Sequence, residues 1–207
     1  MIRPPTKALL TGDGSDMGIK GALLLAGLTR AYETLDAIDG TLETMSKLRL
    51  ADIVELANLS SMIGNIIAQG IVAESKGVFQ RAGPHKYQDL RGGKKGIPNI
   101  EIKMALDTNK PKGHLPKEGH YLACRYVLCD ASGAYERGKE NRGILPRIWE
   151  IRGGELMIHH FGISNTAGDS GKTAVVTKEG MRALQSLYFD PELCPFASVD
   201  RYLKEYS

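Results

Sequence analysis

Along the first third of the chain, apolar residues recur at helical spacing. Leu23, Leu24, Leu28, Tyr32, Leu35 and Ile38 predict a helix over residues 19–38, closed by Asp39 and Gly40. A second, longer helical stretch is predicted over 46–74, where Ile53, Leu56, Ala57, Met62, Ile63, Ile66 and Ile67 form a wide apolar face. Gly64 and Gly70 interrupt that face and suit close packing against a sheet. Residues 1–18, rich in Gly, Pro and Asp, read as a loop or loosely held arm.

Beyond residue 77 the period shifts to two. Residues 78–81 predict a short strand, Gly83 and Pro84 a turn, and 85–90 a second extended piece before the basic turn 91–96. Over 99–106, Ile100, Ile102, Met104 and Leu106 alternate with Asn99, Glu101, Lys103 and Ala105, which predicts a strand with one apolar and one polar face. Two prolines and a glycine keep 107–117 out of regular structure, and the apolar run 121–128 predicts a central strand. Two further strands, 147–152 and 155–163, are predicted to meet at a Gly153–Gly154 turn, with another at 173–176. Thr177 then caps a predicted helix over 178–188, and a tail helix runs to Ser207. Helices, then strands, then a helix and tail predict a mixed α+β or α/β domain built on one central mixed sheet flanked by helices. The domain is expected to span 19–207, with its core at about 46–190 and the arm 1–18 outside it.

Composition adds little to this: 207 residues, 42% hydrophobic and 25% charged, are ordinary for a soluble globular domain. Charge distribution adds more. Although the net charge is only +3, residues 81–118 hold nine Lys or Arg against four Asp or Glu, and the rest of the chain 18 against 20. All the positive excess sits in one segment, which points to a polyanionic partner. Three cysteines without a CxxC pair argue against a disulfide framework and a structural zinc site. The longest strictly apolar stretch, about 21–28, falls short of the ~20 residues that cross a bilayer, and the N-terminus lacks a signal-peptide pattern. A cytoplasmic protein with no membrane partner is expected.

The chemical signal is Gln88-Asp89, an interval of eleven residues, then Glu101-Ile102-Lys103. Two adjacent strands can bring Asp89 and Glu101 to one sheet edge, and Glu101 and Lys103, two apart on one strand, share a face. Two carboxylates suit Mg2+, a hard ion that takes oxygen ligands and leaves room for water and phosphate. Such a metal neutralises charge on a scissile phosphate and acidifies a bound water. The lysine beside it can orient that water or stabilise developing charge.

On these residues the segment from about Glu55 to Asp130 resembles the PD-(D/E)XK nuclease superfamily, and within it the type II restriction endonucleases. The resemblance rests on a helix, a hairpin with the acidic pair, the Glu-Ile-Lys triplet and a following apolar strand. The motif's first proline is replaced by Gln88. The resemblance implies a restriction-endonuclease-like core and a Mg2+-dependent endonuclease acting on double-stranded DNA at a specific sequence. It implies Asp89 and Glu101 as metal ligands, Lys103 as the water-activating or charge-stabilising group, and a homodimer, since two strands need two sites. It also implies a glutamate from the preceding helix, for which Glu55 is the first candidate and Glu74 the second.

Lys94 and Lys95 in the turn, Asn109, Lys110, Lys112, His114 and Lys117 in the next loop, and Lys86 before Asp89 are the candidate DNA contacts. Two alternatives stay open: a superfamily nuclease of repair or phage defence without strict sequence reading, and a non-catalytic nucleic-acid-binding module. Residues 168–173 end like a phosphate-binding loop, but Thr166 stands where that motif needs glycine, and 173–176 reads as extended. His159 and His160, adjacent on a predicted strand, should point to opposite faces.

Overall fold

The computed structural model describes residues 5–83, 88–113, 115–164 and 173–206. The two predicted helical stretches become α1 (Gly21–Ser46), the single turn α2 (Leu50–Ile53) and α3 (Leu56–Glu74). Asp39 and Gly40 do not end α1. Asp39 is buried and its Oδ1 accepts the Leu50 N–H at 2.8 Å, so the residue that looked like a stop fastens α2 to the middle of a longer helix. The helix ends instead at Lys47, whose φ of 61° is left-handed.

Helix α3 is long and apolar enough, by length and composition alone, to cross a membrane. Here its apolar face is committed elsewhere. Leu59, Ile63, Ile67 and Ile71 are buried in the common core. Gly70 has no room for a side chain, because a Cβ there would lie 2.2 Å from the Gly27 carbonyl of α1. Gly64 faces the sheet, 3.0 Å by the same construction from Met104.

Strands β1 (Phe79–Arg81), β2 (Leu90–Gly92), β3 (Ile100–Leu106), β5 (Gly119–Cys129), β6 (Leu145–Leu156) and β9 (Gln185–Phe189) form a six-stranded sheet in the order β1-β2-β3-β5-β6-β9. All neighbours are antiparallel except β3 and β5, which run parallel in register from Ile100–His120 to Leu106–Tyr126. The sheet is therefore mixed, and the domain is α+β, as expected. A parallel pair needs a crossover of about a dozen residues, most often helical. Here the crossover is residues 107–118, whose described residues form no helix and contribute the two-residue strand β4 (Lys112–Gly113). With β7 (Phe161–Ser164) and β8 (Thr173–Val176), β4 builds a second sheet, order β4-β8-β7.

Three further expectations are corrected. The predicted Gly153–Gly154 turn lies inside β6, where a Cβ on Gly153 would meet Met17 at 2.3 Å and Leu187 at 2.7 Å; this glycine serves packing. The predicted helix 178–188 stops at α4 (Lys178–Ala183), capped by Thr177 as expected, and its second half is strand β9. The N-terminal segment is no loose arm over its described part. Met17 is buried, and Thr11 N–H bonds the Leu187 carbonyl at 3.1 Å. The chain closes with α5 (Val199–Tyr206).

Candidate active site

Helix α3 packs on the Ile102–Met104 side of β3. Alternation then sends Glu101 and Lys103 to the other side of the strand. The β2–β3 hairpin pairs Leu90 with Ile100, which sets Asp89 opposite Glu101 one step further from the turn. The register is held by the acidic side chains themselves. Asp89 Oδ2 accepts the Ile102 N–H at 2.8 Å, and Glu101 Oε2 accepts the Gln88 N–H at 2.8 Å, so each carboxylate grips the other's strand. Lys103 Nζ donates to Glu101 Oε1 at 2.5 Å. The hairpin thus holds Asp89 and Glu101 on each other's strands, with Lys103 on Glu101.

Glu101 is buried, and Asp89 and Lys103 are half-buried. Burial is the main force pushing the Asp89 carboxyl above the ordinary aspartate range, and the Glu101 charge pushes the same way. The Ile102 N–H, Lys103 and Arg81 pull against them. A divalent cation between the two carboxylates would remove that repulsion, and the donor set of two carboxylates fits Mg2+.

Two features of the site were invisible as sequence patterns because they act through the backbone. Gln88 has a φ of 69°, a left-handed conformation unusual for a non-glycine residue. Proline, with φ locked near −65° and no N–H, could neither adopt it nor make the bond to Glu101. Position 88 therefore excludes proline on physical grounds. The second is Gly113 in β4: a Cβ there would lie 3.1 Å from Lys103 Cε and 3.2 Å from Nζ. Gly113→Val should push the ammonium group aside while leaving the melting temperature close to that of the parent. Because misplacement of a reacting group by about 1 Å costs up to ~100-fold, any Lys103-dependent activity should fall by at least about tenfold, as read by initial rates.

Glu55 is not brought to the site. It is the exposed residue before the first turn of α3, whose Ser60 bonds the Tyr126 hydroxyl at 2.8 Å, and Tyr126 pairs with Leu106 at the far end of β3. Five residues at ~3.3 Å each separate that end from Glu101. Glu74, exposed in the last turn of α3, also belongs to the helix on the other face of the sheet. Neither helix glutamate completes the acidic pair.

Of the candidate DNA contacts, Lys94 and Lys95 are exposed in the turn joining β2 and β3. The described residues of the segment after β3 return to its polar side at two points. Gly113 lies on Lys103, and the Lys117 carbonyl accepts the Tyr121 hydroxyl at 2.7 Å, where Tyr121 pairs with Glu101. Lys112 and Lys117 are exposed and Lys110 is half-buried on this loop. Asn109 is fixed at the Leu106 end by its N–H to the Leu106 carbonyl, 3.1 Å, away from the acidic pair. Lys86 and His114, and residues 168–172 of the sequence that ends like a phosphate-binding motif, lie outside the described residues. His159 and His160 depart from expectation: they occupy a 3-10 turn, Ile158–His160, with ring centroids 4.1 Å apart.

No protein-family model matches this chain. A comparison with curated proteins likewise finds no match.

Proposed function

We propose that this protein is a Mg2+-dependent endonuclease that hydrolyses phosphodiester bonds of double-stranded DNA, with Asp89 and Glu101 as metal ligands and Lys103 as the group that acts on the attacking water. The observation that carries this reading is the reciprocal grip of the β2–β3 hairpin, Asp89 on Ile102 N–H and Glu101 on Gln88 N–H, with Lys103 on Glu101. The order α3, acidic hairpin, then apolar strand β5 agrees with the resemblance drawn from the sequence.

Among the described residues, none of these bonds uses Asp89 Oδ1, which makes it the first candidate oxygen for a metal. Glu101 would follow by exchanging Lys103 for the ion. Lys103, now on Glu101 Oε1, would then have its three N–H donors for the water or the scissile phosphate. A metal held by Asp89 and Glu101 would thus leave the Lys103 ammonium as the cationic group beside it. A pure binder has no use for two carboxylates among phosphates, which favours hydrolysis over binding alone.

The test is plasmid digestion with and without Mg2+. The parent protein should cut only with the metal, and Lys103→Ala should lose at least about a hundredfold in rate while keeping the parent's circular dichroism spectrum. Undiminished cleavage by Lys103→Ala removes the assignment. Discrete bands fit a sequence-specific enzyme, proposed to act as a homodimer, and a smear fits a non-specific one. The lysines at 94, 95, 110, 112 and 117 should make DNA binding fall with salt at a log–log slope of about −0.9 per phosphate contacted, and a flat response would count against them.

A further inference from the structure

We propose that His159, His160 and Glu179 form a second metal site, selective for a borderline divalent transition ion such as Zn2+ and distinct from the Asp89–Glu101 pair. The ligand atoms of these three residues lie within 4.8 Å of one another. That proximity comes from backbone construction on both sides. On one side the 3-10 turn Ile158–His160 holds two consecutive imidazoles together, where a strand would send them apart. Phe161, the next residue, ties the turn to the large sheet through its ring contact with Tyr121, centroids 5.7 Å apart.

On the other side, α4 is fastened directly to that turn. Thr177 donates to the His160 carbonyl twice, from its N–H at 2.8 Å and its Oγ1 at 3.0 Å, and the same Oγ1 caps α4 by accepting the Gly180 N–H at 3.1 Å. Gly180 makes the approach possible: a Cβ there would lie 2.6 Å from the His160 carbonyl oxygen and 2.9 Å from His160 Cβ. Glu179, beside that glycine, is carried to the two rings.

Two imidazoles and a carboxylate are ligands for Zn2+, Co2+ or Ni2+ in preference to Mg2+. Bonds of about 2.0–2.2 Å in a tetrahedral site place ligand atoms roughly 3.4 Å apart. His159 and Glu179 are exposed and His160 half-buried, so small side-chain rotations can close the remaining gap. Three protein ligands leave a fourth position for water or a substrate group. One local bond opposes ligation: His160 Nδ1 accepts the Met157 N–H at 3.0 Å, which uses the lone pair of that nitrogen. Turning the ring toward the metal passes this exposed N–H to water.

The test uses untagged protein carrying Asp89→Asn, which disables the other acidic pair, and titrates it with Zn2+ by calorimetry in excess Mg2+. One ion per chain should bind. Adding His159→Ala or Glu179→Gln, both exposed positions, should weaken binding by at least about tenfold with an unchanged melting curve of the metal-free protein. Failure of the Asp89→Asn protein to bind Zn2+, or undiminished binding after either further substitution, overturns the site. The outcome is independent of whether the protein cleaves DNA.

Discussion

Asp89→Asn should abolish Mg2+-dependent cleavage and, in the same protein, raise the melting temperature of the metal-free form at neutral pH. The carboxyl of Asp89 is held above its ordinary range, first by burial and then by the neighbouring Glu101 charge. A raised value means that the folded state binds the proton more tightly than the unfolded chain. The stability this supplies is complete below the ordinary aspartate pKa and is lost as pH rises through the raised one. At neutral pH the ionised group therefore weighs against the fold. Asparagine keeps an oxygen for the Ile102 N–H, now 2.8 Å from Asp89 Oδ2, and deletes the charge facing Glu101.

A rise of roughly a few degrees is the scale on which a domain of this size registers one side-chain change. Mg2+ should stabilise the parent by binding the native state alone and should leave Asp89→Asn unmoved. Calorimetric scans with and without the metal read both effects. An asparagine variant that melts lower than the parent, and still gains from Mg2+, would take Asp89 out of the metal site. The parent's gain should also fade as pH drops through the raised Asp89 value, because the ion and the proton compete for one carboxylate.

What the sequence discloses of this site depends on whether a residue acts through its side-chain period or through its backbone. The alternation of Ile100, Ile102 and Met104 with Glu101 and Lys103 is a period, and it foretells which side of β3 carries the carboxylate and the lysine. Gln88 and Gly113 act through a φ angle, an N–H and a missing Cβ, and nothing in their spacing marks them. Glu55 fails for a different reason. Periodicity establishes that α3 is a helix with an apolar face, but not which way it runs along β3, and its first turn lies at the Leu106 end. The same limit appears in the fold. Asp39–Gly40 and Gly153–Gly154 have the composition of breaks, yet one is satisfied by the Leu50 N–H and the other is required by Met17 and Leu187. Local composition proposes a stop, and a partner distant in sequence decides whether the element continues.

Glu150→Gln should be the most destabilising single change in the large sheet, costing roughly 3–5 kcal/mol from a total that is typically ~5–15 kcal/mol. Glu150 is fully buried between two arginines, Arg125 at 1% and Arg152 at 5% exposure, so the cluster already carries more positive than negative charge. Arg125 Nε donates to Glu150 Oε2 at 2.7 Å and its Nη2 joins the same oxygen, while the Tyr202 hydroxyl of α5 donates to Oε1. Burial pulls the Arg125 guanidinium below its usual range, with Glu150 opposing. That guanidinium lies 4.1 Å from the centroid of the Trp149 ring, a cation–π contact that favours the charged form. Arg152 carries the network to the chain end, donating to the carbonyls of Leu184 at 2.9 Å and Tyr206 at 2.6 Å. Glutamine matches glutamate in size, so no cavity forms. Among the described residues, what it removes is the one negative charge in contact with both guanidinium groups, leaving them buried without that counter-charge. Tyr202→Phe takes away only a neutral partner and should cost less, about 1–3 kcal/mol. Because both residues belong to one network, the double variant should lose less than the two single losses combined. Urea unfolding of the three variants reads these values. A cost below about 1 kcal/mol for Glu150→Gln would mean that the cluster behaves as a solvated surface pair and that α5 is held by its aromatic contacts alone.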